Sequence, residues 1–173
     1  NDGSLAFVPD LSNVREIALG GDQSCAVDHS GSLKCWGKRY DHNEAQGDDP
    51  GTLRALPEFG VVTSLAVGAT HLCALDTQGT ARCLGDNTFK QIDMEIRTQR
   101  SVTELAALGI GVEYRALGAS RYGTCALSSN GTVYCWGQIA EGDQRAPELV
   151  PNLFDVTHLF NSPMAHHRCA QLT

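Results

Sequence analysis

The chain has 173 residues, including 18 Gly and 6 Pro, and 19% of it is charged, a composition that excludes collagen-like and disordered classes and leaves room for one ordinary domain. Its 13 Lys and Arg stand against 20 Asp and Glu, a net charge of −7, which argues against nucleic acid as a partner. No apolar run approaches the roughly 20 residues that cross a bilayer, and no basic amphipathic stretch would lie on a lipid surface. The expectation is a soluble chain without membrane insertion, either matured by processing or cut from something longer, since it opens at Asn1 with no signal-peptide core.

In chain order, residues 1–7 read as the second half of a hairpin whose complete form comes next. A short segment from Val14 to Gly20 leads into Cys25-Ala26-Val27, a turn at His29-Ser30-Gly31, and Cys35-Trp36-Gly37. The pair recurs from Val62 to Gly68 and then from Cys73 through Gly79 to Cys83, Leu84 and Gly85. A third copy runs from Val112 to Gly118 and from Cys125 through Gly131 to Cys135-Trp136-Gly137. A decayed fourth begins at Val156 and reaches Cys169-Ala170. The Val-to-Val spacings, about 48, 50 and 44 residues, have the scale of propeller blades. The fold expected is all-β, a propeller of about four blades of antiparallel strands. Its repeats fall at 14–37, 62–85, 112–137, and 156–173 plus 1–7.

Each Cys motif alternates apolar positions about a three-residue loop ending in Gly31, Gly79 or Gly131. Such a loop is commonly a type I turn followed by a residue at positive φ, which Gly adopts without steric cost. Centred there, the hairpins place Cys25 opposite Cys35, Cys73 opposite Cys83 and Cys125 opposite Cys135. Opposed Cα atoms lie about 4.5 to 5.5 Å apart, within disulfide range, so three cross-strand bridges are expected, with Cys169 a free thiol. Reduced buried thiols are the alternative. Zinc is the weaker reading, because structural sites use Cys pairs two to four residues apart. Bridges imply an oxidising compartment, extracellular or periplasmic.

A Gly, a short gap, C-A-L, a Gly turn and C-W-G together resemble the repeat of the regulator of chromosome condensation family of β-propellers. The second copy, with His71 before Leu72-Cys73-Ala74-Leu75, carries the typical His as well. The resemblance spans nearly the whole chain and implies the fold, whereas function has to be argued separately. The Asn and Gln-Leu-Gly stretch of the family survives only as Asn87, Gln91 and Ile92, and the family's usual seven blades exceed the material for about four.

The ends are then informative. Gly3-Ser4-Leu5 matches Gly31-Ser32-Leu33, and Phe7 stands where Cys35 stands, while 168–173 supplies a first half that stops where a turn begins. Three geometries satisfy this: closure on itself, head-to-tail pairing of copies in a ring or polymer, or excision from a longer repetitive protein. The pairing also accounts for the odd seventh cysteine, because Cys169 meets Phe7 rather than a Cys.

Connecting segments at 38–60, 86–111 and 138–155 are read as irregular loops that present recognition side chains. A short helix is expected near Ser101, which has Glu104 three residues on. Tyr40, Phe59, Phe89, Tyr114 and Tyr122 are candidate partner-binding aromatics. Trp36 and Trp136 are read as core wedges between blades, and His71 as a hydrogen-bonding group within its blade. Asn130-Gly131-Thr132 is a glycosylation acceptor sequence, and also simply what a tight turn selects. The acidic group Asp41, Glu44, Asp48 and Asp49 lacks EF-hand spacing, and adjacent strand side chains at His166 and His167 point to opposite faces. No metal or cofactor is therefore assigned.

No nucleophile elbow, P-loop or zinc-protease motif occurs, so the chain is read as a non-enzyme. The function expected is an extracellular or periplasmic protein-interaction module, an accessory or structural subunit of a larger assembly. Alternatives are a secreted enzyme inhibitor and a carbohydrate-binding or adhesive module.

Overall fold

The computed structural model describes residues 7–37, 51–92, 98–105, 112–138, 144–164 and 168–173. The first sheet contains β1 (Val14–Leu19), β2 (Gln23–Asp28), β3 (Leu33–Gly37) and the two-residue β4 (Arg54–Ala55). The second contains β5 (Val62–Val67), β6 (His71–Asp76), β7 (Ala81–Asp86) and β8 (Thr98–Leu105). The third contains β9 (Tyr114–Ala119), β10 (Gly123–Ser128), β11 (Val133–Gln138) and β12 (Gln144–Leu149), and the fourth β13 (Val156–Asn161) and β14 (Arg168–Leu172). Every sheet is an antiparallel meander in chain order. The architecture is an array of propeller blades. Successive sheets face one another through their first strands, and among the described residues no comparable packing joins the fourth sheet to the first.

The hairpins form where the loop chemistry put them. Gly31, Gly79 and Gly131 have φ of 85°, 73° and 83°. Each N–H is donated back to the carbonyl of Asp28, Asp76 or Ser128, at 3.0, 3.1 and 3.1 Å. This register opposes Cys25 to Cys35, Cys73 to Cys83 and Cys125 to Cys135, and all three pairs are disulfides with Cα separations of 4.0–4.1 Å. The Gly that ends each Cys-Trp-Gly or Cys-Leu-Gly motif is also at positive φ, 94° at Gly37 and 128° at Gly85.

Both faces of the inner sheets are buried, which is why Cys73-Ala74-Leu75 and its counterparts read as continuous apolar runs. The cysteine face of one sheet packs on the opposite face of the next. Cys25, Val27, Leu33 and Cys35 meet Leu65, Val67, Leu72 and Leu84. Cys73, Leu75 and Cys83 meet Leu117, Ala119, Ala126 and Trp136. Cys125, Leu127 and Cys135 meet Val156, Leu159 and Ala170.

Several expectations are corrected. The connecting segments are not wholly irregular, because β4, β8 and β12 lie within them as fourth strands. The helix near Ser101 is replaced by β8, which pairs Thr103 with Cys83 and Glu104 with Arg82. An open sheet edge offers more backbone hydrogen bonds than one local capping pattern can. The third blade's inner strand starts at Tyr114, not Val112, because Ser120 rather than Gly118 makes the reverse-turn bond, to Gly123, that Gly20 and Gly68 make to Gln23 and His71. Trp136 is a wedge at 1% exposure, but Trp36 is only half-buried, since among the described residues no other sheet packs on its face. Residues 1–6 lie outside the described residues. Phe7 is fully exposed, and the exposed, free Cys169 lies opposite Phe160.

Candidate partner-binding surface

Between the second and third sheets, the segment at 86–92 is held by its own buried polar groups. Asn87, Gln91 and Ile92 have no solvent exposure. The Asn87 Oδ1 accepts the N–H of Ile92 at 3.0 Å, and the Gln91 Oε1 accepts that of Phe89 at 2.8 Å. The Gln91 carbonyl takes hydrogen bonds from Trp136 Nε1 at 2.9 Å and Thr124 Oγ1 at 3.1 Å. With the one Thr124 hydroxyl hydrogen spent there, the 2.9 Å contact to His71 requires His71 to donate through Nε2. His71 thus links two blades, which corrects the expectation of a bond within its own. Local side-chain bonding of this density fixes the loop without regular structure.

On this rigid base sits an aromatic and cationic cluster. The rings of Phe89 and Tyr122 lie 4.2 Å apart, tilted by 33°, and the Arg121 guanidinium stands 5.0 Å from the Tyr122 ring centroid. All three side chains are half-buried. A cation over an aromatic face is held by the ring quadrupole. In a chain of net charge −7, the cluster forms a positively charged apolar knob. Of the aromatics singled out from the sequence, Phe89 and Tyr122 meet here. Phe59 and Tyr114 do not: at 1% and 6% exposure they are core residues, because Phe59 plugs the first interface from a one-turn 3-10 segment (Pro57–Phe59) and Tyr114 packs in the second. Burial, followed by the nearby Tyr134, pushes the Tyr114 phenol up to about 12. Tyr40, the acidic group at 41–49, and His166 with His167 lie outside the described residues.

Sequence reasoning missed Arg121. The signal was available: Arg121-Tyr122 occupies the two-residue loop that is Gly21-Asp22 in the first blade and Ala69-Thr70 in the second. It also missed how blades are tied. Each inner strand carries one irregularity, at Arg15, Thr63, Arg115 and Thr157, and a bulge re-aims its side chain. Arg15 thereby donates to the Val62 and Thr63 carbonyls, at 3.0 and 3.1 Å, and Arg115 to the Val156 carbonyl at 2.9 Å. At the next position Glu16 accepts the Leu65 N–H at 3.2 Å, and Ser64 accepts that of Leu117 at 3.1 Å. Burial raises the Glu16 carboxyl above its ordinary value, partly offset by the Leu65 bond and Arg15. Among the described residues no group of three His, Cys, Asp or Glu side chains is placed to hold a metal ion.

The sequence profile of the regulator of chromosome condensation (RCC1) repeat matches residues 62–91 and 114–138, which are the second and third blades with the 86–92 loop included. The chain carries RCC1-type propeller repeats. Solved structures agree on the fold. The chain is similar to human WBSCR16, with TM-score 0.71 and 19% identity over 86% of this chain and 43% of that one. It is similar to Prp20p from Saccharomyces cerevisiae, with TM-score 0.71 and 18% identity over 92% and 42%. The receptor kinase CR4 ectodomain of Physcomitrella patens gives TM-score 0.60 and 19% identity over 94% and 40%. The chain therefore spans about two-fifths of the length of these structures. No curated protein sequence matches it.

Proposed function

We propose that this RCC1-like chain is a non-catalytic protein-interaction module of an oxidising compartment, extracellular or periplasmic, that serves as an accessory subunit of a larger assembly. The observation that carries the reading is the Phe89–Tyr122–Arg121 knob, fixed from beneath by the buried Asn87 and Gln91. Tyr and Arg on a preorganised base are the residue types that dominate interface energetics. Prp20p, similar in fold, is described by its binding to Gsp1p and histones, which supports a protein as the class of partner. The three disulfides support the compartment. Asn130, exposed in its hairpin turn at the other end of the blades, is the acceptor for any glycan attached there.

The test is the native mass of the protein gently released from its source, with co-migrating chains identified, repeated with Tyr122→Ala and Arg121→Glu. Each variant should lower partner retention about tenfold, while Gln78→Ala in the hairpin turn at the other end leaves it unchanged. Equal retention by all variants would remove the knob from the interface, and a glycan-only ligand would overturn the reading.

A further inference from the structure

Three other arginines spend their N–H groups within the molecule. Arg15 donates to the Val62 and Thr63 carbonyls at 3.0 and 3.1 Å, Arg115 to those of Ser128 and Val156 at 3.3 and 2.9 Å, and Arg82 meets the Asp76 carboxylate at 2.7 Å. Arg121 differs. Among the described residues no carbonyl or carboxylate accepts from its guanidinium, which stands over the Tyr122 ring instead. A ring holds a guanidinium through its quadrupole and leaves the planar fork of N–H donors unspent. Asp86, the acid of the supporting loop, gives its Oδ1 to the N–H and hydroxyl of Thr88, at 2.9 and 2.6 Å.

The fold does not ask for these residues. In the first three blades the same reverse turn closes, with Gly20, Gly68 and Ser120 donating to the carbonyls of Gln23, His71 and Gly123 at 2.7, 2.8 and 2.8 Å. The first two blades make it with Gly21-Asp22 and Ala69-Thr70, which bring neither a ring nor a cation. The third makes it with Arg121-Tyr122 and sets both beside Phe89, whose own N–H is tied to Gln91. A donor fork and two rings thus stand together where turn formation needs none of them.

We propose that the knob, and this rests on reading it as the interface, recognises an Asp or Glu carboxylate in a partner segment, with an apolar neighbour of that acid lying on Phe89 and Tyr122. Guanidinium and carboxylate match in plane and spacing, so the Arg121 fork takes the acid in a bidentate pair of hydrogen bonds. A free anion would leave the two rings uncovered. A wholly apolar segment would cover Arg121 with its donors unpaired, at a desolvation cost. A segment carrying both kinds of side chain completes the site. The net charge of −7 sharpens the choice, because away from the knob an acidic residue meets like charge and the segment is held to one register.

Peptides of random sequence, displayed and selected on the purified full chain, test this. Wild type should enrich Asp or Glu beside Leu, Phe or Tyr. The selected peptide, made synthetically, should bind Arg121→Lys and Arg121→Glu at least about tenfold more weakly, since Lys keeps the charge without the fork. Arg121→Glu should in turn bind a copy of the peptide with Lys in place of the acid better than wild type does, a reversal that a misfolded variant does not show. Selected peptides lacking a carboxylate, binding indifferent to either substitution, or no enrichment at all would overturn the proposal. The interface reading fails separately, on partner retention that Tyr122→Ala leaves unchanged. Retention lost in Tyr122→Ala together with carboxylate-free peptides sinks this proposal alone.

Discussion

Burial alone would raise the Asp76 carboxyl, but the N–H groups of Thr80 and Gln78 and the Arg82 guanidinium, 2.7 Å away, outweigh it and hold it below the usual carboxylate range. Its contribution to stability is therefore present above the unfolded value and lost as pH falls through the folded one. Glu16 has the opposite sign: with its folded value raised, its contribution is present below the unfolded value and lost as pH rises through the folded one. Asp76→Asn should cost roughly half a kcal/mol at neutral pH, as suits a partly exposed pair, with the gap to wild type closing in acid. Glu16→Gln keeps an acceptor for the Leu65 N–H and should match or exceed wild type at neutral pH, again converging in acid. Denaturation midpoints between about pH 3 and 7 check both signs. Glycine gives a second contrast at this scale. Gly60 has φ 69° with open space where a Cβ would stand, whereas at Gly85, φ 128°, a Cβ would lie 2.5 Å from the Thr70 carbonyl oxygen. Gly60→Ala should cost about 1–3 kcal/mol from its backbone conformation alone (φ 69°, ψ −148°), and Gly85→Ala more than about 3 kcal/mol because the steric clash adds to it, read as midpoint shifts.

At the scale of elements, the hairpin is legible because its determinants are local. A Gly at the αL position, an Asp or Ser five residues before the start of the next strand, and paired cysteines each act within a few residues, and Asp28 and Asp76 accept turn N–H groups at 2.8–3.0 Å. The fourth strands were not legible for the opposite reason. β8 contains a capping pattern, and what makes it a strand is the edge of β7 on which it lies. The two tryptophans show the same division. They follow identical motifs, yet Trp136 is 1% exposed and bonded to the Gln91 carbonyl, while Trp36 lies on the open face. Trp136→Leu should cost about 2–4 kcal/mol by cavity formation and the lost hydrogen bond. Trp36→Leu should cost under about 1 kcal/mol. Equal costs in chemical denaturation would mean that the first sheet has a cover of its own.

For the whole molecule, stability in a repeat array is a sum of unit and neighbour terms. The fourth sheet has two described strands and one packed face, so β13 and β14 should exchange amide hydrogens fastest among the strands. Arg115→Ala removes the 2.9 Å tie to the Val156 carbonyl and should speed exchange there several-fold while leaving β5–β7 as they were. Uniform acceleration across all sheets would show the array to be one cooperative unit.

What the sequence determined by itself was everything that repeats: the all-β class, the blade period, the three hairpins with their turn glycines and the pairing of six cysteines. Repetition averages out local noise, and each of these features is set by residues close in the chain. What only the tertiary structure decided was which repeats have neighbours. Burial of Phe59 and Tyr114, the bond from His71 into the next blade, and the meeting of Phe89 with Tyr122 beside Arg121 all depend on contacts across sheets. Such contacts join residues tens of positions apart, and no local pattern of apolar and polar residues encodes which of two equivalent faces is covered.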